Sequence, residues 1–353
     1  MKKLLITVSL VTLFFVSFGQ KVDLDKFNFT YEYRDLPKVP LNPEYRTFSL
    51  KFNATGSVRD NFGGTALEDA VNVQGWKKVT GTGHIIATVT LDDLTINSSQ
   101  VTERVDIQKD KDGKETGRKY YYKAEMSYVW GGKAVVKDYK DAAVGNASFD
   151  GLTSSWTSSE YGTRKEAADY YNNNREEIKG KLLRDKVSTA LSDLGKWMTN
   201  NYGFPVRKDA EILWILDAKK HPEYQAQHNT WDAFKKAVAT ITADNLSDET
   251  KEQFNTLIKY FDDIPTRFAT DDKNDKKMRY ASFYNKAKIY LYLDNPEAAI
   301  AEADKLAAND YDAGDAKGLK KEADALIQLF KKNNATSRHF VIDLSSVQPP
   351  ASN

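Results

Sequence analysis

Catalytic or metal-binding chemistry in this chain would have to come from a short list of residues. There are four histidines, His84, His221, His228 and His339, and no cysteine. Without thiolates, the cysteine-based structural zinc sites are closed to it, and no His-Glu-x-x-His run offers the helix face of a zinc protease. His221 and His228 stand seven residues apart, which would put them on one face of a continuous helix. Pro222 interrupts that helix, and no third ligand follows at helical spacing. No Gly-x-Ser-x-Gly elbow and no Gly-x-x-x-x-Gly-Lys phosphate loop occurs. Gly81-Thr-Gly83 mimics the start of a dinucleotide fingerprint, but Ile86 stands where the third glycine belongs and the alternation that follows is that of a strand. The acidic run Lys109–Glu115 has Asp112-Gly113 at its centre, a hairpin turn signal, and lacks the ligand ladder and closing glutamate of a calcium loop. Asp and Glu are abundant, so a hydrolase with carboxylates from distant positions stays open. The residues name no catalytic side chain, no metal ligand and no cofactor. A non-enzymatic role stands ahead of an enzymatic one.

The elements that would position any site begin after a leader. Lys2 and Lys3 precede an uncharged, largely apolar run from Leu4 to Phe15, and Ser17 and Gly19 stand at the −3 and −1 positions of a cut before Gln20. This is the pattern of a secretory signal peptide, residues 1–19, and the run is short for a membrane span. No second long apolar run follows, so no transmembrane segment is expected after cleavage. The absence of cysteine removes disulfides as a source of stability and removes the acylation site of a bacterial lipoprotein. Without Lys2 and Lys3 the chain carries 49 basic against 50 acidic residues, which gives no basic excess for nucleic acid.

Residues 20–157 read as a β-rich domain. Phe27, Phe29, Tyr31 and Tyr33 alternate with polar residues as in a half-buried strand. The proline-rich stretch Leu36–Pro43 is a rigid connector, and alternation resumes at Phe48, Leu50 and Phe52. Ser57–Gly83 reads as a long excursion with turns at Gly63-Gly64 and Gly75. Strands follow at Ile85–Leu91, Val101–Ile107, Tyr120–Trp130 and Ala134–Tyr139, and Phe149–Trp156 closes the region. In the clearest of them Tyr120, Tyr122, Ala124, Met126, Tyr128 and Trp130 share one face.

Residues 158–335 carry helical periodicity and read as an array of about seven helices. A short helix is expected over Tyr161–Tyr171, then a long amphipathic one from Arg175 to Tyr202 stopped by Gly203 and Pro205. Asp209–Lys220 reads as the next, followed by Tyr224–Ile241. Another is capped by Ser247 and buries Phe254, Leu257, Ile258 and Phe261. A final helix ends at Asn333-Asn334. The tail, residues 336–353, alternates at Phe340, Ile342 and Leu344 and is expected as a strand over Arg338–Leu344 that returns to the β region.

Within the array, Tyr280–Asp310 folds as two helices, the second begun by Asn295 as cap and Pro296 at its first position. Phe283, Ala287, Tyr290 and Ala299 have a spacing that resembles one tetratricopeptide (TPR) hairpin, with Ala303 and Leu306 departing from the family's pattern. The resemblance covers one repeat and implies a groove-facing row of Ala281, Tyr284, Lys288 and Leu291. The leader ending in SFGQ and the tyrosine-rich strands placed before helices resemble exported proteins of Bacteroidota.

The whole reads as an α+β protein with an N-terminal antiparallel β domain and a C-terminal helical array. The leading expectation is an exported binding or assembly protein of the cell envelope, in the periplasm or at the outer membrane. It would engage a protein or peptide through Tyr284, Lys288 and Leu291. Two alternatives stand beside it: a carbohydrate- or peptidoglycan-binding module using the β-domain aromatics, and a hydrolase with dispersed carboxylates.

Overall fold

A computed structural model describes residues 21–62 and 66–351. The leader and the Gly63-Gly64 turn lie outside the described residues. In chain order the elements are β1 (Leu24–Arg34), β2 (Thr47–Ala54), α1 (Gly56–Phe62), α2 (Ala66–Asp69), β3 (Lys77–Lys78) and β4 (Ile85–Leu91). Then come β5 (Thr95–Lys109), β6 (Glu115–Val129), β7 (Gly131–Asp138), β8 (Ala143–Asp150), β9 (Ser154–Thr157) and α3 (Arg164–Tyr202). The last are β10 (Val206–Leu216), α4 (Tyr224–Val238), α5 (Asp248–Arg267), α6 (Lys273–Tyr292), α7 (Pro296–Ala308) and α8 (Ala313–Asn333). The protein is α+β, with most strands in the first half and most helices in the second.

The compact units do not follow the expected boundary at residues 157/158. One unit joins the described residues up to Asp35 to Val206–Val341, and the other joins Leu36–Pro205 to the described residues from Ile342. The reason lies in β1. It does not pair with β2; it pairs antiparallel with β10 over eleven residues, from Leu24 opposite Leu216 to Arg34 opposite Val206. Asp209–Lys220, expected as a helix, is therefore largely strand. Its run Glu211-Ile-Leu-Trp-Ile-Leu216 satisfies either period, and pairing with a distant aromatic strand decides it.

In this helical unit one face of the β1–β10 ribbon lies on α4. Phe27 stacks on Trp231 with centroids 5.1 Å apart, and Phe29 meets Phe234 and Tyr292 edge-on at 4.9 and 5.5 Å. Leu213, Phe254, Phe261 and Ile289 complete that core. Ser247 caps α5 by accepting from the Thr250 amide at 3.1 Å. Asn295 caps α7 by accepting from the Ala298 amide at 3.2 Å, with Pro296 at the first helical position.

The other unit holds a five-stranded sheet in the order β3-β2-β4-β7-β8 and a three-stranded sheet in the order β5-β6-β9. β4 buries Ile85, Ala87, Val89 and Leu91 on alternate positions, as its pattern predicts. The excursion Ser57–Gly83 carries α1, α2 and β3. Residues 161–202 were expected as two helices, but from Arg164 they form one. Asn172-Asn-Asn174 contains neither Gly nor Pro to break it, and Thr163 with Glu166 forms a capping box at its start. α3 lays Leu183, Val187, Leu191, Leu194 and Met198 into the core shared with the sheets. At Gly195 a Cβ would come within 2.9 Å of the Asn72 carbonyl oxygen, so only glycine lets that backbone approach.

The tail is extended but no strand forms among its described residues. Isolated contacts hold it. The Arg34 amide donates to the Arg338 carbonyl at 2.8 Å and the Phe340 amide to the Ala243 carbonyl at 3.0 Å in the helical unit. In the other unit the Lys77 ammonium donates to the Val347 carbonyl at 2.9 Å. Single bonds to three different segments make a strap, without the ladder a strand requires. Among the described residues no helix is long and apolar enough to cross a membrane.

Candidate functional site

The α3 sequence carries a stripe at Leu182, Asp185, Lys186, Thr189, Ala190 and Asp193, spaced so that one helix face is apolar below and polar above. That face closes one wall of an open cleft of about 530 Å³, whose other wall comes from β6 and β8. Tyr128, Trp130 and Phe149 belong to the core, at 5, 2 and 8% exposure, and back the floor, with Leu182 and Ala190 beside them; Asp185, Thr189, Asp193 and Ser148 are exposed at the rim. Trp130 is fixed by its indole N–H, which donates to the Asp92 carbonyl at 2.9 Å. Lys186 donates to the Ser154 hydroxyl at 3.0 Å and lies 5.9 Å over the Tyr128 ring, holding that ring in place. The Thr189 hydroxyl donates to the Asp185 carbonyl at 2.8 Å, and Lys196 donates to Asp193 at 3.0 Å.

An apolar aromatic floor below hydroxyls and carboxylates suits a ring that is apolar on one face and polar at its edge. The geometry does not suit hydrolysis by two acids. Asp185 and Asp193 lie on the same helix, eight residues or about 12 Å apart along its axis, while such pairs stand about 5–9.5 Å apart on either side of the scissile bond.

Tyr120, Tyr122, Tyr128 and Trp130 do not make a single platform. Tyr128 and Trp130 enter the cleft floor, whereas Tyr120 is exposed and Tyr122, half-buried, lies 5.8 Å below the Arg164 guanidinium out on the β5–β6 arm.

The residues expected to meet a partner lie inside the helical unit. Leu291 and Ala281 are buried, and Tyr284 is half-buried with its ring 6.2 Å from that of Trp214. Lys288 is buried with its ammonium 2.9 Å from Glu211 of β10 and 3.2 Å from Glu322 of α8. Burial opposes its charge, but Glu322 and Glu211 outweigh that and hold its pKa above the usual lysine value. The cause is the position of α6. Its buried residues occupy every face, so it is the central helix of its unit, with β10, α5, α7 and α8 around it. Asn285 of the same helix clamps the outer edge of β10, accepting from the Trp214 amide and donating to the Trp214 carbonyl, both at 2.8 Å. This row braces the fold from within.

Sequence reasoning passed over Asp294, which organises an enclosed polar cluster of the unit. It sits in the α6–α7 turn with φ 55° and its side chain is 2% exposed. Its carboxylate accepts from the Arg338 guanidinium at 2.7 Å, the Arg338 amide at 2.5 Å and the Ser337 hydroxyl at 3.0 Å. His339, beside it, donates from Nδ1 to the Thr242 carbonyl at 2.7 Å, and its Nε2 lies 2.8 Å from the Tyr31 hydroxyl, which also reaches the Tyr292 carbonyl at 2.9 Å. Burial pushes the His339 pKa down. The only hint in sequence was an acid just before Asn295-Pro296 in a turn.

The remaining histidines are also structural. His84 bonds Thr47 at 2.7 Å and stacks on Tyr45, His221 accepts the Glu223 amide at 3.2 Å, and His228 lies 2.9 Å from the Leu216 carbonyl. Among the described residues no cluster of three or more His, Asp or Glu could hold a metal ion. A second open cavity of about 470 Å³ lies between α6 and α7, but Lys276 is held by Asp310 at 3.2 Å and Arg279 by Asn309 at 2.7 Å, so its cations are already engaged.

No family model and no curated protein matches the chain. A solution NMR structure of uncharacterized lipoprotein B from Nitrosomonas europaea matches 46% of this chain and 88% of that one, at 12% identity and a TM-score of 0.22. A likeness that low carries no argument about this chain.

Proposed function

We propose that this is an exported, non-enzymatic binding protein whose ligand is a saccharide held in the α3 cleft. The observation that carries the reading is the cleft itself: Tyr128, Trp130 and Phe149 beneath a rim of Asp185, Thr189, Asp193 and Ser148. A sugar ring would rest its C–H face on the floor and donate its hydroxyls to the rim carboxylates. Export rests on the leader sequence, and the envelope glycan is the saccharide such a location would present. The engagement of Lys288 and Leu291 inside their own unit moves the binding surface away from α6.

Titration calorimetry against N-acetylglucosamine oligomers and soluble peptidoglycan fragments tests this. Asp185→Asn, Asp193→Asn and Thr189→Val alter exposed side chains, so the fold should persist. Each is expected to weaken binding by roughly tenfold, the loss of a hydrogen bond to a charged or polar rim group. Absence of heat with the unaltered protein at millimolar sugar, or equal affinity in the triple variant, would refute it.

A further inference from the structure

β5 is fifteen residues long, ends its sheet, and pairs only with β6. Which of its backbone groups are left over follows from β6. Tyr122 exchanges backbone bonds with Tyr161 at 3.0 and 2.8 Å on the side away from β5, so the odd-numbered β6 residues face β5. Their partners are even-numbered: Tyr121 lies opposite Arg104 and Lys123 opposite Thr102. The N–H and C=O groups of Val101, Glu103, Val105 and Ile107 therefore point to the open edge. Arg164 reaches the first of them, donating to the Val101 carbonyl at 3.3 Å, and among the described residues no strand pairs with the edge beyond it. Along the same stretch Val105, Ile107 and Tyr120 are 38, 50 and 42% exposed, and Val105 lies directly opposite Tyr120.

We propose that this edge pairs with the same edge of a second copy of the chain, antiparallel about Val105. Only odd-numbered residues present bonding groups, so odd must face odd, and successive registers differ by two residues. With Val105 opposite itself, Glu103 faces Ile107, and Arg104, which in its own chain meets Asp106 at 2.5 Å and Glu160 at 3.1 Å, would share its charge with Asp106 of the second copy, giving two intermolecular charge pairs on one face and a Val105–Ile107–Tyr120 strip on the other. Sliding by two residues either way centres Arg104 on Arg104 or Asp106 on Asp106. The charges that usually guard a β edge here admit one register and reject its neighbours. The paired stretch is short, below the area of a standard stable interface, so the dimer is a weak one, with a dissociation constant on the order of 10 μM.

Sedimentation equilibrium of the purified chain over a concentration series is the test. The mass should rise toward twice the monomer value. Val105→Pro removes only an edge-facing N–H, not a bond to β6, and should leave the circular dichroism unchanged while the protein stays monomeric. Arg104→Asp and Asp106→Arg should each weaken dimerisation at least about tenfold, and the double exchange should restore it. A monomer at every concentration, a dimer indifferent to Val105→Pro, or no restoration in the double exchange overturns the proposal.

Discussion

Replacing Asp294 with alanine should do more damage than any other single change in the α6–α7 turn. The carboxylate is 2% exposed and its partner Arg338 13% exposed, so truncation leaves a guanidinium with its donors enclosed and its charge uncompensated. Breaking a pair this buried from one side costs about 3–5 kcal/mol. Alanine also lacks the side-chain hydrogen bonding that lets aspartate adopt the left-handed φ of 55°, which adds to the cost. Asparagine keeps an acceptor and tolerates that conformation, so Asp294→Asn should cost about half as much, mostly the lost charge. Removing both ends in Asp294→Ala/Arg338→Met leaves no orphaned charge and should recover at least about 2 kcal/mol of the single-mutant loss.

The readout must be local, since two compact units need not unfold together. Native-state hydrogen exchange at the Arg34 and Phe340 amides provides it. Arg34 donates to the carbonyl of Arg338 itself, and Phe340 donates to Ala243 two residues further on. In Asp294→Ala both amides should exchange faster by about two orders of magnitude or more, the opening free energy having fallen by at least about 3 kcal/mol. Wild-type protection of Arg34 in the alanine variant, or a double variant no better than the single, would show that the pair does not anchor the strap.

Two further outcomes are expected. Lys288→Met should lower the urea midpoint of the helical unit by the equivalent of about 2 kcal/mol. Among the described residues it leaves the Glu211 carboxylate, 21% exposed, with the Tyr292 hydroxyl and no cation, while Glu211→Gln added to it should recover most of the loss; strict additivity of the two changes would exclude the coupling. Stability should also decline as pH falls from about 7 toward 5. Burial lowers the pKa of His84, His221 and His339 in the fold, so the unfolded chain takes up protons near its ordinary value of about 6.5 while the folded chain resists, and the stabilisation present above that pH is lost below it. His339, with a side chain that is fully enclosed, should dominate. A urea midpoint equal at pH 7.5 and pH 5, or a decline unchanged in His339→Gln, would contradict this.

What the sequence made legible was whatever local spacing decides. The alternation of β4, the buried run Ala124, Met126, Tyr128 and Trp130, the Ser247 cap and the Asn295-Pro296 start of α7 each depend on residues within a few positions of one another. Where a segment satisfied two patterns at once, the choice passed to a distant partner. Glu211–Leu216 fits helix or strand, and β1, nearly two hundred residues earlier, makes it strand. That one pairing also moves the unit boundary, since it takes β1 out of the sheet region and into the helical unit.

The same dependence explains why a row that the fold largely buries was expected at a surface. Lysine and tyrosine at Tyr284 and Lys288 read as surface, because a buried lysine needs counter-charges that spacing along α6 cannot supply. They come from Glu211 on β10 and Glu322 on α8. Conversely, Asp185 and Asp193 read as the ordinary solvated face of an amphipathic helix, and local pattern gives them no other meaning. They acquire one only because β6 and β8 bring Tyr128, Trp130 and Phe149 beneath that face. Charge on a helix is thus a poor guide to function in this chain until its neighbours are known. Where charge meets charge at Lys288 it braces the fold; Asp185, and Asp193 paired to Lys196 at 3.0 Å, border the cleft above buried aromatics, where the proposed ligand would meet them.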